Sequence, residues 1–137
     1  MRCAKLPDRL GHTGHFTFQL TIAFPGYTYD RTEGIFMVTI DFAKFTEKIR
    51  EVCQNHGVFS MDYFGSVNTP AFSCESDIDF LVKFAPGTDR DIFTRYFELK
   101  ERLEAIFERP VDIVIDREFK NPFFRTAVTR SRRHLYG

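Results

Sequence analysis

The sequence predicts an α/β (α+β) domain in which one small mixed β-sheet is flanked by helices. Two observations carry this. From Met37 onward, apolar residues switch repeatedly between a spacing of three to four, one face of a helix, and a spacing of two, one face of a strand. Between those runs stand the breaks Gly57, Gly65, Pro86-Gly87, Pro110 and Pro122.

Residues 1–36 read differently: glycine, proline, threonine and aromatics are scattered without a sustained period. We expect an extension, either flexible or the product of a wrongly chosen start codon. A genuine extra strand is the alternative, because Phe16, Phe18, Leu20, Ile22 and Phe24 alternate. The domain itself is expected over residues 37–137.

Within that domain, Asp41 is suited to cap a helix carrying Phe42, Phe45, Ile49, Val52 and Cys53, which Gly57 ends. Val58–Phe64 is β-branched and aromatic and reads as a strand, stopped by Gly65-Ser66. Asp77–Phe84 is a second strand, with Ile78, Phe80 and Val82 on one face and Asp77 and Asp79 on the other. Thr88 or Asp89 starts a long helix with Ile92, Phe93, Tyr96, Leu99, Leu103 and Ile106. Pro110 precedes a third strand, Val111–Ile115. Asn121-Pro122 caps a last helix with Phe123, Phe124, Ala127 and Val128, expected to end near Tyr136.

Composition narrows the function. The 137 residues fit one domain, and 17 Phe with no Trp predict a phenylalanine-rich core. Lys+Arg and Asp+Glu both number 19, so the chain is not one that binds nucleic acid by bulk charge, although a local basic patch stays open. Cys3, Cys53 and Cys74 form no paired or zinc spacing and read as reduced thiols, which points to the cytoplasm. The apolar stretch Leu20–Pro25 is too short to cross a bilayer, so no membrane is expected as a partner.

The chemistry is expected in one constellation. Gly65-Ser66 closes a strand, Asp77-Ile78-Asp79 opens the next after ten residues, and Asp112 lies inside the apolar run Val111–Ile115. Aspartates two apart on a strand project from one face, and their carboxylates can share hard divalent cations such as Mg²⁺. A third carboxylate from a neighbouring strand would complete the cluster. Such a cluster repels itself when empty and makes sense with metal bound. Gly65 lets a phosphate approach the backbone, and Ser66 adds a hydroxyl and an N–H. Gly-Ser alone is an ordinary turn, and Asp-x-Asp alone is a solvated strand face. The force lies in their order and spacing.

That order resembles the nucleotidyltransferase superfamily related to DNA polymerase β, and the short chain resembles its minimal branch. Ser76-Asp77-Ile78-Asp79-Phe80-Leu81-Val82 and Arg109-Pro110-Val111-Asp112-Ile113-Val114 carry the likeness, which covers Met37 to Gly137. The resemblance implies a polymerase β-like nucleotidyltransferase fold, with Gly65 and Ser66 holding the triphosphate. Asp77, Asp79 and Asp112 would bind Mg²⁺, or Mn²⁺ in its place, and Asp112 would accept the proton of the incoming hydroxyl. It further implies transfer of a nucleoside monophosphate, AMP from ATP or a related nucleotide from another triphosphate. The implied acceptor is a protein hydroxyl, and the implied partner a HEPN-domain ribonuclease toxin, bound in a hetero-oligomer for which this chain is the antitoxin.

The sequence departs from the family at one point. Members often carry Arg and Gly shortly after Gly-Ser, where this chain has Val67-Asn68-Thr69-Pro70. The departure bears on nucleotide affinity more than on metal binding, and Pro70 should shorten the following helix. Lys83 and Arg125 are candidates to compensate, with a plain surface role as the alternative for each. Two other functions therefore compete: a non-catalytic antitoxin that neutralises its partner by complex formation, and a transferase acting on a small molecule.

Overall fold

The computed structural model describes residues 26–32, 35–87, 90–117 and 119–137, so the alternating run Phe16–Phe24 lies outside it. The first elements are an antiparallel hairpin, β1 (Tyr27–Thr32) and β2 (Ile35–Ile40), which runs across the expected boundary at 36/37. Asp41 then caps as expected, its Oδ1 accepting from the Ala43 N–H at 3.2 Å. The capped segment begins as a 3₁₀ turn, Phe42–Phe45, before α1 (Thr46–Asn55). Gly57, at φ +62°, reverses the chain into β3 (Val58–Phe64).

β4 (Ile78–Phe84), α2 (Ile92–Phe107) and β5 (Val111–Ile115) form a strand–helix–strand crossover, so β4 and β5 are parallel. Residues 88–89, where α2 was expected to begin, lie outside the described residues, and Asp91 is still extended. After α3 (Pro122–Ser131) the structure corrects the sequence reading. The helix does not reach Tyr136 but ends at Ser131, and Arg133–Tyr136 forms β6 on the free edge of β3. Edge pairing satisfies backbone groups of both strands and half-buries Leu135 and Tyr136 against the core, which a continued helix would not do. The sheet order is β5-β4-β3-β6, mixed as expected.

Alternation along the strands gives this sheet two unlike faces. On one, Met61, Ile78, Phe80, Val82, Val111 and Ile113 pack with Ile49 and Cys53 of α1 and with Leu99, Leu103 and Phe107 of α2. Val38 and Ile40 of the hairpin join them, and the Tyr27 hydroxyl donates to the Phe107 carbonyl at 2.5 Å. Phe107 is the hub, with the Phe45, Phe80 and Phe42 rings 4.9, 5.7 and 5.8 Å from its own. Each such buried ring contributes about 2–3 kcal/mol by removal from water. Burial pushes the Cys53 thiol up to about 12, so it serves as a packing residue. On the other face, α3 seats Val128 against Phe64 and Leu81, with Val114 and Phe119 alongside. That cover leaves part of the face open.

Candidate active site

The constellation lies on the open part of that second face. β3 ends at Phe64, whose ladder partner on β4 is Asp79. Gly65 then turns the chain directly over Asp79: its φ is +78°, and a Cβ there would sit 2.5 Å from Asp79 Oδ2. Glycine is therefore favoured by backbone conformation, and any Cβ would displace the Asp79 carboxylate. Gly65–Asn68 forms one 3₁₀ turn that stops two residues before Pro70, as the missing proline N–H predicts.

In the parallel pair, Asp79 of β4 lies directly beside Asp112 of β5. Both point away from the core, because their neighbours Ile78, Phe80, Val111 and Ile113 point into it. Asp77 lies one residue before β4 and is exposed, as is Asp112, while Asp79 is partly covered. Burial first, and then the charges of Asp112 and Asp77, raise the Asp79 carboxyl above its ordinary range. Asp79 thus feels the charge of both neighbouring carboxylates. Among the described residues, however, no three His, Cys, Asp or Glu side chains converge closely enough to hold an ion unaided. Mg²⁺ commonly takes only one or two carboxylates and completes its shell with water and substrate phosphates. A self-repelling carboxylate group beneath a glycine turn fits that pattern.

Arg109 and Ser131, to which the sequence reading gave no positioning role, hold the constellation in place. Arg109 Nη1 donates to the carbonyls of Ser73 (3.2 Å) and Ser76 (3.0 Å), and its guanidinium stacks over the Phe72 and Tyr27 rings. It ties down the loop that delivers Asp77, while the next residue, Pro110, accepts from the Ile78 N–H at 3.1 Å and starts the β4–β5 pairing. Ser131, at the end of α3, accepts from the Gly65 N–H through Oγ at 3.4 Å, and its carbonyl accepts from Asn68 Nδ2 at 2.7 Å. These contacts join residues more than sixty positions apart, so no local pattern announces them. Of the two cations considered as compensation, Lys83 lies at the far end of β4 with its ammonium 5.4 Å from the Phe59 ring centre, and Arg125 lines a separate pocket. On β3, the Asp62 carboxylate lies 3.0 Å from His134 Nδ1 and 3.8 Å from Arg132 Nε.

With this geometry in view, the comparisons with known proteins agree. The family pattern described as "Polymerase beta, Nucleotidyltransferase" matches residues 47–137. A Methanocaldococcus jannaschii protein, provisionally named a protein adenylyltransferase, is 30% identical over 93 residues, covering 62% of this chain and 92% of its own length. A solved structure provisionally described as a minimal nucleotidyltransferase superposes with a TM-score of 0.54 at 30% identity, over 69% of this chain and 95% of its own. A chain in a crystal structure of a toxin–antitoxin with AMP-PNP shares the fold at a TM-score of 0.52 and 23% identity, over 67% of this chain and 73% of that one. Among the described residues no helix is long and apolar enough to cross a membrane. The family match begins at the second residue of α1 and takes in every strand that carries the turn and the carboxylates, so the chain belongs to the polymerase β nucleotidyltransferase family.

Proposed function

We propose that the chain transfers AMP from ATP to a hydroxyl of a partner protein, and that this partner is a HEPN-domain toxin for which the chain is the antitoxin. The observation that carries the transfer chemistry is the pairing of Asp79 with Asp112 beneath Gly65, where a phosphate-accepting turn and a carboxylate pair share one corner of the sheet. The protein acceptor is supported by the name of the Methanocaldococcus relative, and the toxin partner by the resemblance to the minimal branch. The fold shared with a chain of a toxin–antitoxin complex is consistent with that pairing.

The turn at Gly65 and Ser66 receives the triphosphate, with the bare glycine backbone permitting close approach. Asp77, Asp79 and Asp112 are the residues that would hold Mg²⁺, which supplies charge neutralisation at the phosphates and at the attacking oxygen. Asp79, partly covered and under the turn, anchors the nucleotide side. Asp112 is exposed on β5, where an acceptor hydroxyl arrives from solvent, and takes its proton. The acceptor oxygen bonds to the α-phosphorus as the bond from that phosphorus to the β-phosphate bridging oxygen breaks, and pyrophosphate leaves. Arg109 and Ser131 keep loop and turn in register with the strands.

The test uses the purified chain with Mg²⁺, ATP labelled at the α-phosphate, and a HEPN-domain protein encoded beside it. Label on the partner is expected with the intact chain and absent with Asp77→Asn/Asp79→Asn. Equal labelling by both would remove the mechanism.

One observation favours a second reading. The Gly65 N–H already donates to Ser131, and Val67-Asn68-Thr69-Pro70 brings no cation to the turn. A chain that neutralises its partner by binding alone would still protect cells when Asp77 is changed to Asn. Loss of protection with complex formation intact would decide for catalysis.

A further inference from the structure

Beside α3, on the same sheet face as the carboxylates, is an open pocket of about 310 Å³ lined by Asp116, Arg117, Phe119, Arg125, Thr129 and Arg132. Its construction follows from helix geometry. Arg125, Val128, Thr129 and Arg132 recur at three- and four-residue spacing, so they share one stripe of α3 and its end. Val128 seats on Leu81 and Phe64, and the other three stand beside that seam. Arg117 closes the opposite wall, just beyond β5. Three arginines and one aspartate therefore share the lining. Among the described residues, the guanidinium groups of Arg117 and Arg125 have no ion-pair or hydrogen-bond partner, and that of Arg132 has only the 3.8 Å approach to Asp62. In a chain whose formal charge is zero, this is a concentrated and largely unanswered positive site.

We propose that this pocket docks an acidic segment of the protein acceptor, its carboxylates held by Arg117, Arg125 and Arg132. The inference rests on the reading of the acceptor as a protein. Guanidinium forks match carboxylates in two-pronged geometry. Phe119, in the lining, offers apolar surface to the neighbouring side chains of a peptide. The triphosphate of the nucleotide is read as held at the Gly65-Ser66 turn, and its base is uncharged, so neither calls for three arginines here. A nucleic-acid strand carries charge at every step and would have to pass the exposed Asp77 and Asp112, which repel it. A peptide can confine its negative charge to the pocket and present a neutral hydroxyl to the carboxylates. Asp116 lies four residues beyond Asp112 along the chain, about 13 Å at strand rise. The acidic residues should therefore stand roughly four positions from the hydroxyl that is modified.

The experiment measures fluorescence anisotropy of a labelled dodecapeptide carrying one Tyr and a Glu cluster four residues away, at low salt and without ATP. The intact chain and Glu101→Gln, changed at an exposed position of α2 on the other side of the sheet, should bind it alike. Arg117→Glu/Arg125→Glu should bind it at least about tenfold more weakly, and a peptide with Lys in place of Glu should recover binding to that variant. Equal affinity of the intact chain for Glu and Gln peptides would overturn the proposal. So would an oligoribonucleotide that binds through these arginines while the Glu peptide does not. Labelled ATP and Mg²⁺ are then added: pocket-dependent peptide binding without transfer to any acceptor would leave the docking site standing and reject the transferase reading instead.

Discussion

The two faces of the four-stranded sheet are made by the same strands and obey different rules. On β4, Ile78, Phe80 and Val82 are fully buried, and each lost atom there removes packing that nothing replaces. Between them, Asp79 is partly covered beside two like charges and under a turn with no room for a methyl group. One face holds the domain together, and the other holds a repulsion that the fold tolerates. Adjacent residues should therefore respond in opposite ways.

The largest contrast is expected between Asp79→Asn and Phe80→Ala. The first should reduce nucleotide transfer by at least about 10³-fold while keeping the fold. The second should cost about 3–5 kcal/mol of stability, read as a fall in thermal midpoint of more than about 10 °C. An Asp79→Asn chain that unfolds, or a Phe80→Ala chain as stable as the parent, would break the comparison.

Two glycines refine it. Gly65 and Gly87 have almost the same backbone conformation, φ +78° and +77°, but a Cβ at Gly65 meets Asp79 while one at Gly87 meets nothing within 4 Å. Each change to alanine should cost about 1–2 kcal/mol from the left-handed backbone alone. Only Gly65→Ala should also lower transfer, by about 10–100-fold, because the turn or the carboxylate must shift. Equal activity in the two variants would separate the turn from the site.

A smaller effect is expected for Arg109, which belongs to both regions. Its stacking on Phe72 serves the core, and its bonds to Ser73 and Ser76 serve the loop before Asp77. Arg109→Ala should cost about 1.5–3 kcal/mol and lower transfer about tenfold. Lysine should not restore the transfer, since one ammonium cannot stack and bridge two carbonyls as the guanidinium does. Full activity in Arg109→Lys would show that charge alone suffices.

These contrasts also mark what a sequence can reveal. β4 was readable because strand geometry converts its period-two spacing directly into faces, and β3 and β5 because their β-branched, aromatic and apolar residues stand between the breaks at Gly57, Gly65 and Pro110. β6 was not, because Arg133–Tyr136 has no alternation of its own and becomes a strand only where β3 offers an edge. Hairpin β1–β2 was hidden for a similar reason: Tyr27 is tied to Phe107, a partner eighty residues away. The same holds for Ser131 at Gly65 and for the arginine pocket, both assembled by α3 folding back onto the sheet. Local chemistry was visible, whereas contacts made only by the closed fold were not.

The smallest effect tests the cost of the Asp79 charge, which comes from burial first and then from repulsion by Asp112 and Asp77. The Asp79 carboxyl is raised in the folded chain, so the fold binds its proton more tightly than the unfolded chain does, where the ordinary value is 3.8. Above the raised value the ionised carboxylate destabilises the fold by its full amount. As pH falls through that value the cost is relieved, and below the unfolded value it is gone. Asp79→Asn removes the charge at every pH. The variant should therefore melt above the parent at pH 7, by about 1–3 °C because the group is only partly covered. The gap should close as pH falls toward the ordinary carboxylate range. Mg²⁺ should raise the melting point of the parent more than that of the variant, since only the parent keeps the charge at position 79 that a cation relieves. A variant that melts lower than the parent at pH 7, or a gap that does not change with pH, would mean that Asp79 stabilises the sheet and that the second face carries no stored repulsion.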